Sequence, residues 1–280
     1  MTWSVAPIEV DEPAHLRDAR GFTPSLRRWA PPAALNDVVR RFWVPVWSLP
    51  PSASSVQRVL QHPVCQLVVG SEEAVLVGPD RGMGTRELRG SGWAVGVMLQ
   101  PAVGTVLAGG PMTGLTDRQL DLAAVRGLDA AGGAAGLASR VRAVMAPGPA
   151  DPERQAQACS LLATALAALL PVDEEGLLVN RLVAEVEADP GIRRVGDLCE
   201  RFATTERTLQ RLTARRIGLS PKWLVQRRRL HEVAERLRAG EGADLATVAA
   251  ELGYADQSHL TRDFRAVTGT TPGAFAAEPR

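Results

Sequence analysis

Residues 209–221 read LQRLTARRIGLSP and residues 260–272 read LTRDFRAVTGTTP, and both stretches fit the pattern L-x-R-x6-G-x-[ST]-P. Every matched position in the second stretch lies 51 residues after its counterpart in the first. Two copies are too few for a solenoid, which needs about three repeats to bury a continuous core. The duplication therefore predicts two similar modules with similar tasks in the last third of the chain.

The first copy predicts a helix with two unlike sides. Thr205 is well placed as the N-cap of a helix that reaches Ile217, because its hydroxyl can accept a hydrogen bond from a free N–H of the first turn. At 100° per residue, Leu209 faces the core of the module. The opposite side carries polar side chains, namely Arg207, Gln210, Arg211 and Arg215.

The second copy predicts the same arrangement with a more polar outer side. Asp244 is placed to cap a helix that Gly253 ends, and Asp256 is placed to cap the next helix. Leu260 points inward on that next helix. The outward side chains are Gln257, Ser258, Thr261, Arg262 and Arg265. A helix, a tight turn and a second helix form a helix-turn-helix.

A basic helix is expected between the two copies. Ser220 and Pro221 supply the N-cap and the first residue of a connecting helix over residues 221–239. Residues 193–238 contain 13 basic and 5 acidic residues, although the net charge of the whole chain is only +1. Such a local excess is typical of a surface that binds a polyanion.

Double-stranded DNA is the polyanion that this geometry suits. A major groove about 12 Å wide admits one helix, and Arg and Gln side chains can form bidentate hydrogen bonds with guanine and adenine edges. The alternative is a plain solvated helix surface, which is what most runs of charge are. We favour DNA contact because the arginines lie opposite the core stripe in both copies.

The same residues resemble the DNA-binding domain of the AraC/XylS family of transcription regulators. The resemblance covers about residues 192–275, and its most specific part is AAELGYADQSHL at residues 249–260, followed by Phe264, Arg265 and the GTTP of residues 269–272. Residues 205–211 and 218–221 match the first half of the family's domain. Thr213 departs from the family, whose members usually have a large apolar residue there.

The resemblance implies a function and a set of partners. It implies a sequence-specific regulator that inserts two recognition helices into successive major grooves of promoter or operator DNA, contacts RNA polymerase and more commonly activates than represses transcription. It also implies a small-molecule effector and a homodimer. The residues that would contact bases by this resemblance are Arg207, Gln210 and Arg211 in the first unit and Gln257, Ser258, Thr261 and Arg262 in the second.

The expected fold class is α+β, with two regions. Residues 1–172 form an effector-binding or dimerisation domain that is β-rich and barrel-like up to about residue 110 and helical over 111–172, where the barrel is implied by the resemblance. Residues 173–280 form an all-α DNA-binding domain. Within it, the first helix-turn-helix spans about residues 195–217 and the second about residues 245–268.

The N-terminal region shows strand patterns and one notable helix. Apolar runs between turn signals predict strands at residues 57–61, 65–69, 74–77 and 93–99. Six prolines over residues 24–51 predict irregular backbone before them. An uncharged helix that ends at Leu170 carries an apolar stripe. Such a stripe is typical of packing within the chain, which we favour, or of self-association.

Three tryptophans are candidates for an effector pocket, namely Trp43, Trp47 and Trp93. Five of the six tryptophans lie before residue 100. Large aromatic side chains can line a site for an apolar or planar ligand. An equally good alternative is that they fill the hydrophobic core.

Neither catalysis nor metal binding is indicated. His62 and Cys65 are too few for a closed zinc site. An alkyl-accepting cysteine in the N-terminal region is the enzymatic alternative, but Cys65 lies in an apolar run, where a buried and inert thiol is expected. No P-loop, dinucleotide fingerprint or Ser-His-Asp order is present. We therefore expect no enzyme and no cofactor, with a purely structural N-terminal region as a further alternative.

The cysteines and the hydropathy pattern indicate the cellular compartment of the protein. The three cysteines are widely separated and odd in number, which fits a reducing cytoplasm better than an oxidising compartment. The N-terminus lacks the features of a secretory signal, and no apolar run reaches the ~20 residues needed to cross a bilayer. A cytoplasmic protein is expected.

Overall fold

The structure is a computed structural model, and it describes residues 4–9, 15–16, 22–128, 133–239 and 244–277. Strands lie before residue 122, and α-helices make up most of the chain after it. The expected α+β class, with a β-rich N-terminal region and a helical C-terminal region, is confirmed. No helix in the described ranges combines the length and the hydropathy needed to span a bilayer.

Two antiparallel sheets make up the N-terminal region. Their strands are β1 (Ala6–Ile8), β2 (His15–Leu16), β3 (Ser25–Ala30), β4 (Val39–Ser48), β5 (Ser54–Val59), β6 (Gln66–Gly70), β7 (Ala74–Val77), β8 (Gly84–Arg89), β9 (Ser91–Leu99) and β10 (Gln119–Asp121). The larger sheet has the order β1-β3-β4-β9-β6-β7-β10, and the smaller sheet has the order β2-β5-β8. All four predicted strands are present, with β5 beginning three residues earlier than expected.

The proline-rich lead-in forms two strands, so the prediction of irregular backbone there is wrong. In the pairing of β3 with β4, Pro45 lies opposite Leu26. In the pairing of β4 with β9, Trp43 lies opposite Gly96 and Val46 lies opposite Trp93, and Pro45 between them is not paired with β9. Because proline has no N–H to donate, the sheet tolerates it at a position where no such bond to β9 is made.

One face of the larger sheet packs against helices. Phe42 lies opposite Val97 in the register, and both side chains are buried in the main core. Three helices follow β9, namely α1 (Gly104–Ala108), which precedes β10, and α2 (Gly133–Met145) and α3 (Pro152–Leu166), which come after it. The buried side chains of α2 and α3 belong to the same core. Alternating side chains thus place one row of each strand under the helices.

The apolar stripe of α3 is used within the chain. Leu162 and Leu166 are fully buried in the main core, and Leu169 in the following short 3-10 helix is half-buried. Asp151 caps the helix by accepting a hydrogen bond from the N–H of Glu153 at 2.9 Å. The stripe therefore packs inside the domain, as the favoured interpretation expects.

The described residues of the C-terminal region form helices joined by short loops and turns. Its helices are α4 (Glu174–Ala188), α5 (Val195–Arg201), α6 (Glu206–Arg216), α7 (Pro221–Ala239), α8 (Leu245–Glu251), α9 (Gln257–Thr268) and α10 (Pro272–Ala277). They bury two separate hydrophobic clusters. The first cluster joins α4, α5 and α6 with the start of α7, and the second joins the rest of α7 with α8, α9 and α10.

A residue of the N-terminal region completes the second cluster. Leu60 lies directly after β5, is 2% exposed and belongs to the same cluster as Val248 and Phe264. Met83, in the turn before β8, packs against this cluster as a partly buried side chain. The core of the second helix-turn-helix therefore extends into the N-terminal region.

We predict that Leu60→Ala destabilises the second cluster by about 2–5 kcal/mol, because the surrounding helices cannot fully close the vacated volume. The free energy of unfolding can be measured on the full chain by guanidinium titration, with hydrogen exchange of the α9 amides to locate the effect. Val56→Ala is the control, since Val56 is 38% exposed, and its effect should stay within about 1 kcal/mol. Equal losses in the two variants would contradict the prediction.

Candidate nucleic-acid interface

The first helix-turn-helix consists of α5 and α6. Between them, Ala203 has a φ of 45°, a left-handed conformation that reverses the chain in few residues. Thr205 caps α6 as predicted, and its hydroxyl accepts a hydrogen bond from the N–H of Thr208 at 3.2 Å. Leu209 is 1% exposed and lies in the first hydrophobic cluster. Thr213, the departure from the family pattern, is fully buried and donates its hydroxyl hydrogen to the carbonyl of Gln210.

The polar side of α6 faces away from this cluster. The side chains predicted to contact DNA are all exposed on it, and we call them the first recognition surface: Arg207, Gln210, Arg211 and Arg215. Gln210 donates a hydrogen bond to Glu206 at 3.0 Å, and Arg215 forms an ion pair with Glu175. Among the described residues, Arg207 and Arg211 form no ion pair. Two guanidinium groups on this surface are thus available to an external partner.

The second helix-turn-helix consists of α8 and α9. Gly253 ends α8 in a left-handed conformation with a φ of +74°. Asp256 caps α9 by accepting a hydrogen bond from the N–H of His259 at 2.7 Å. Leu260 and Phe264 are fully buried in the second cluster. The caps, the turn and the inward side chains are those that the sequence predicts.

The polar side of α9 forms a second recognition surface. Its members are Gln257, Ser258, Thr261, Arg262 and Arg265. All of them are exposed except Thr261, which is half-buried. Arg262 and Arg265 form no ion pair among the described residues. This surface carries two positive charges and three uncharged polar groups, whereas the first carries three arginines.

The two copies of the repeated pattern have the same local geometry. Gly218 and Gly269 follow their recognition helices with left-handed φ values of +81° and +74°. The hydroxyl of Ser220 then accepts a hydrogen bond from the N–H of Trp223, and that of Thr271 accepts one from Ala274, each at 3.2 Å. The glycine permits the sharp turn, and the hydroxyl begins the next helix.

The connecting helix α7 has the predicted bounds, Pro221–Ala239. Its C-terminal part packs with α10, where the guanidinium of Arg238 lies 4.6 Å from the ring centre of Phe275. Phe275 in turn meets Phe264 edge to face, with ring centres 5.3 Å apart. These contacts fix α9 against the end of α7.

Two carboxylates of α4 and its N-cap contact the end of α6, a feature that the sequence did not reveal. Arg216 donates hydrogen bonds to Asp173 and to Glu175, and Arg215 pairs with Glu175 as well. Hydrogen bonding from Arg216 lowers the pKa of Glu175, so this carboxylate stays charged at neutral pH. No local pattern signals these pairs, because the partners lie about forty residues apart in the chain.

The three candidate tryptophans do not converge on one pocket. Trp93 points into the main core and is 6% exposed. Trp43 and Trp47 pair with Gly96 and Gly92 on the opposite face of the sheet. Their rings occupy the space above these glycines, since a Cβ on Gly96 would lie 2.0 Å from the Trp43 ring. Trp93 therefore lies in the core, whereas Trp43 and Trp47 share the other face of the sheet.

Cys65 has the environment of an inert thiol. Its side chain is buried, and burial raises its pKa to about 12. Its sulfur lies close to Gly104, next to the sulfur of Met112. A thiol of this kind is neither deprotonated nor reachable by a substrate.

His62 takes part in contacts between the two regions. Its Nδ1 lies 3.0 Å from a carboxylate oxygen of Glu187, and its ring stacks on that of His231 with centres 4.8 Å apart. Arg40 pairs with the same Glu187. Within the described ranges, no group of three or more histidine, cysteine or acidic residues could hold a metal ion.

Two helix-turn-helix units, each with an exposed polar helix surface and joined by one long helix, define a double helix-turn-helix domain. Comparison with known families agrees with this class. Residues 198–278 match the family described as a helix-turn-helix domain, of the AraC type, and the resemblance to the AraC/XylS family is confirmed for this region. Residues 198–278 therefore form an AraC-type helix-turn-helix domain. Residues 27–121 match a domain of unknown function (DUF6597).

Other comparisons find only distant similarity. No curated protein matches the sequence. The structure is similar to that of an apo variant of ToxT from Vibrio cholerae, with 13% identity, coverage of 84% of this chain and 96% of that chain, and a TM-score of 0.43. ToxT with a bound unsaturated fatty acid gives 11% identity, coverage of 98% and 93%, and a TM-score of 0.39. The C-terminal domain of AraT, a response regulator from Geobacillus stearothermophilus, gives 19% identity, coverage of 37% of this chain and 87% of that chain, and a TM-score of 0.34.

We predict that stability falls in mild acid because of His231, and falls further in stronger acid because of Glu187. Burial, the neighbouring His62 and Arg227 together lower the pKa of His231 to about 3. The unfolded chain takes up this proton near pH 6.5, so the folded state loses stability as the pH falls from 6.5 towards 3. The pKa of Glu187 is lowered to about 2, since His62 and Arg40 outweigh the effect of burial. Its contribution is lost as the pH falls from about 4.5 towards 2.

The measurement is the free energy of unfolding by urea at pH 7 and at pH 4.5. His231→Gln should show a smaller loss between the two values than the unchanged protein, because the titrating ring is removed. An equal loss in both proteins would refute the role of His231.

Proposed function

We propose that the protein is a sequence-specific DNA-binding transcription regulator that inserts α6 and α9 into successive major grooves. The observation that carries the proposal is the pair of exposed recognition surfaces, each on the second helix of a unit whose repeated leucine is buried. An α-helix with its side chains is about 10–12 Å wide, which matches the width of the major groove. DNA sites of roughly two helical turns without a palindrome are expected, because the two units differ.

The two units are proposed to contribute differently to binding. Arg207, Arg211 and Arg215 give the first recognition surface its charge, and each arginine that meets a phosphate displaces counterions from DNA. The second surface, with Gln257 and Ser258 at the start of α9, is richer in neutral hydrogen-bonding groups. We infer that the first unit supplies more of the salt-dependent affinity.

The N-terminal region is proposed to bind a small-molecule effector. The support is Trp43, whose indole N–H is buried and has no hydrogen-bond partner among the described residues. A buried donor without a partner costs free energy, and a ligand acceptor would satisfy it. Trp47 lies on the same face, and its indole N–H donates to the carbonyl of Arg89 at 3.2 Å. Trp93 lies on the other face of the sheet, in the main core.

A purely structural N-terminal region is the competing proposal, and an alkyl-accepting enzyme is disfavoured by the burial of Cys65. Titration of the protein with candidate effectors, followed by tryptophan fluorescence, distinguishes an effector site from a purely structural region. A saturable change that is lost in Trp43→Phe supports an effector site, and its absence supports the structural role.

We further propose five properties of the protein. They are a domain boundary between residues 172 and 173, a cytoplasmic location, a homodimer, contact with RNA polymerase and activation of transcription. The boundary is supported by α4, since Val179, Leu182 and Val183 belong to the cluster of the first helix-turn-helix. No cofactor is proposed.

We predict that Arg211→Ala weakens specific DNA binding by about 1–3 kcal/mol and relaxes sequence preference, as expected for the loss of one bidentate base contact. The measurement is an electrophoretic mobility shift titration with DNA selected by the unchanged protein. Arg140→Ala is the control, because Arg140 is an exposed arginine on α2, far from the recognition surfaces in the chain. Equal affinity of Arg211→Ala and the unchanged protein would remove Arg211 from the interface.

We also predict that Glu175→Gln strengthens DNA binding by up to about fivefold at low salt, because Arg215 loses its ion-pair partner and becomes available to a phosphate. Glu174→Gln is a matched control, since it removes the same charge from the neighbouring exposed residue, which forms no ion pair in the described ranges. Fluorescence anisotropy at several salt concentrations measures both effects. Equal gains in the two variants would show that net charge alone is responsible.

A further inference from the structure

The two helix-turn-helix units share little besides α7. Leu224 and Val225, near the start of α7, belong to the first hydrophobic cluster. Leu230, Val233 and Ala234, further along the same helix, belong to the second. Each unit is therefore packed around its own core. The relative orientation of the two units therefore depends on α7 and on any other part of the chain that contacts both units.

The N-terminal region contacts the first unit directly behind its recognition helix. The hydroxyl oxygen of Thr116 lies 3.0 Å from the carbonyl oxygen of Gly218 and 3.1 Å from that of Met112, and the two carbonyls share its one hydrogen. Thr116 is buried. A Cβ on Gly218 would clash with the Thr116 hydroxyl, so only a glycine leaves room for this contact. This contact places the C-terminal end of α6.

The N-terminal region also contacts the connecting helix. Arg227 of α7 donates hydrogen bonds from one guanidinium nitrogen to the carbonyls of Asp80 and Gly82, both at 2.8 Å. Its guanidinium lies 4.3 Å from the ring centre of Trp223 and is buried. Burial lowers the pKa of Arg227 to about 9, and the nearby Asp80 carboxylate opposes that shift. The guanidinium is thus charged at neutral pH and fixed to the turn before β8.

The second unit is contacted by the same part of the N-terminal region. Leu60 and Met83 pack in or against its hydrophobic cluster. Met83 follows Gly82, whose carbonyl accepts the hydrogen bond from Arg227. The N-terminal region therefore meets the first unit, the connecting helix and the second unit.

We propose that the N-terminal region sets the separation and orientation of α6 and α9, so that Thr116 and Arg227 are positioning residues that determine which spacing of DNA half-sites the protein selects. Neither residue belongs to a recognition surface, and neither needs to touch DNA. The inference rests on the proposed DNA-binding function. A shift of one base pair rotates the second half-site by about a tenth of a turn, so a rigid pair of helices discriminates between spacings.

The test uses the full chain and a random-sequence double-stranded DNA library of about four helical turns. The unchanged protein should enrich two half-sites at one spacing. The double variant Thr116→Val with Arg227→Met should enrich the same half-sites over several spacings, because both attachments are removed while side-chain volume is nearly kept. The matched control is Thr113→Val with Lys222→Met, which also removes one hydroxyl and one positive charge, but from exposed positions, and should keep the single spacing.

Dissociation constants for selected DNA with and without one inserted base pair complete the test. The insertion should weaken the unchanged protein by about tenfold or more, since the base contacts of one unit are lost. In the double variant the ratio should fall to about threefold or less. If circular dichroism shows that the double variant does not fold, Thr116→Val alone should lower the ratio, because a methyl group then replaces the hydroxyl that bonds to the Gly218 carbonyl.

The outcomes separate this inference from the proposed function. If the unchanged protein enriches no sequence, the proposed function fails and this inference fails with it. If the unchanged protein enriches half-sites at one spacing and the variants keep that spacing and ratio, the function stands and this inference is overturned. Enrichment of variable spacings by the unchanged protein overturns it as well.

Discussion

The burial of one leucine in each recognition helix orients every side chain that is proposed to meet DNA. Leu209 and Leu260 are 1% and 0% exposed, and each lies in the hydrophobic cluster of its own unit. Because a helix turns by 100° per residue, fixing one leucine inward turns the arginines two positions later outward. The rest of the C-terminal region supports this orientation, through caps at Thr205 and Asp256 and the left-handed glycines that end the helices.

The helix α4 and the N-terminal region extend this constraint to the whole molecule. Asn180 accepts a hydrogen bond from the N–H of Ala102 and donates one to the carbonyl of Asp37, both at 2.9 Å. Further along α4, Glu187 contacts Arg40 and His62 of the N-terminal region. The same helix buries its apolar side in the first helix-turn-helix cluster. The helix α4 thus connects the β-rich region to the hydrophobic cluster that holds α6.

The N-terminal sheet shows where local patterns mislead. Apolar runs predicted β6, β7 and most of β9, because buried strands with turn signals on both sides leave a clear local record. Pro45 argued against β4, yet the strand forms because its neighbours Phe42 and Val44 are buried in the main core. The tryptophans were ambiguous in the same way. Their spacing in the sequence does not tell which face of the sheet each side chain occupies. The pairing of β4 with β9 places Trp93 and Trp43 on opposite faces.

The two helix-turn-helix units, their caps and their outward side chains can be predicted from the sequence, since they follow from contacts within a few residues and from the period of the helix. Which arginines lack an ion-pair partner depends on how distant elements pack. Arg215 and Arg216 meet carboxylates of α4, and Arg227 meets a turn of the β-rich region. Only the tertiary structure shows that Leu60 completes the core of a unit nearly two hundred residues away and that Thr116 lies against Gly218. Such contacts are set by how separate elements pack, and no local pattern along the chain records them.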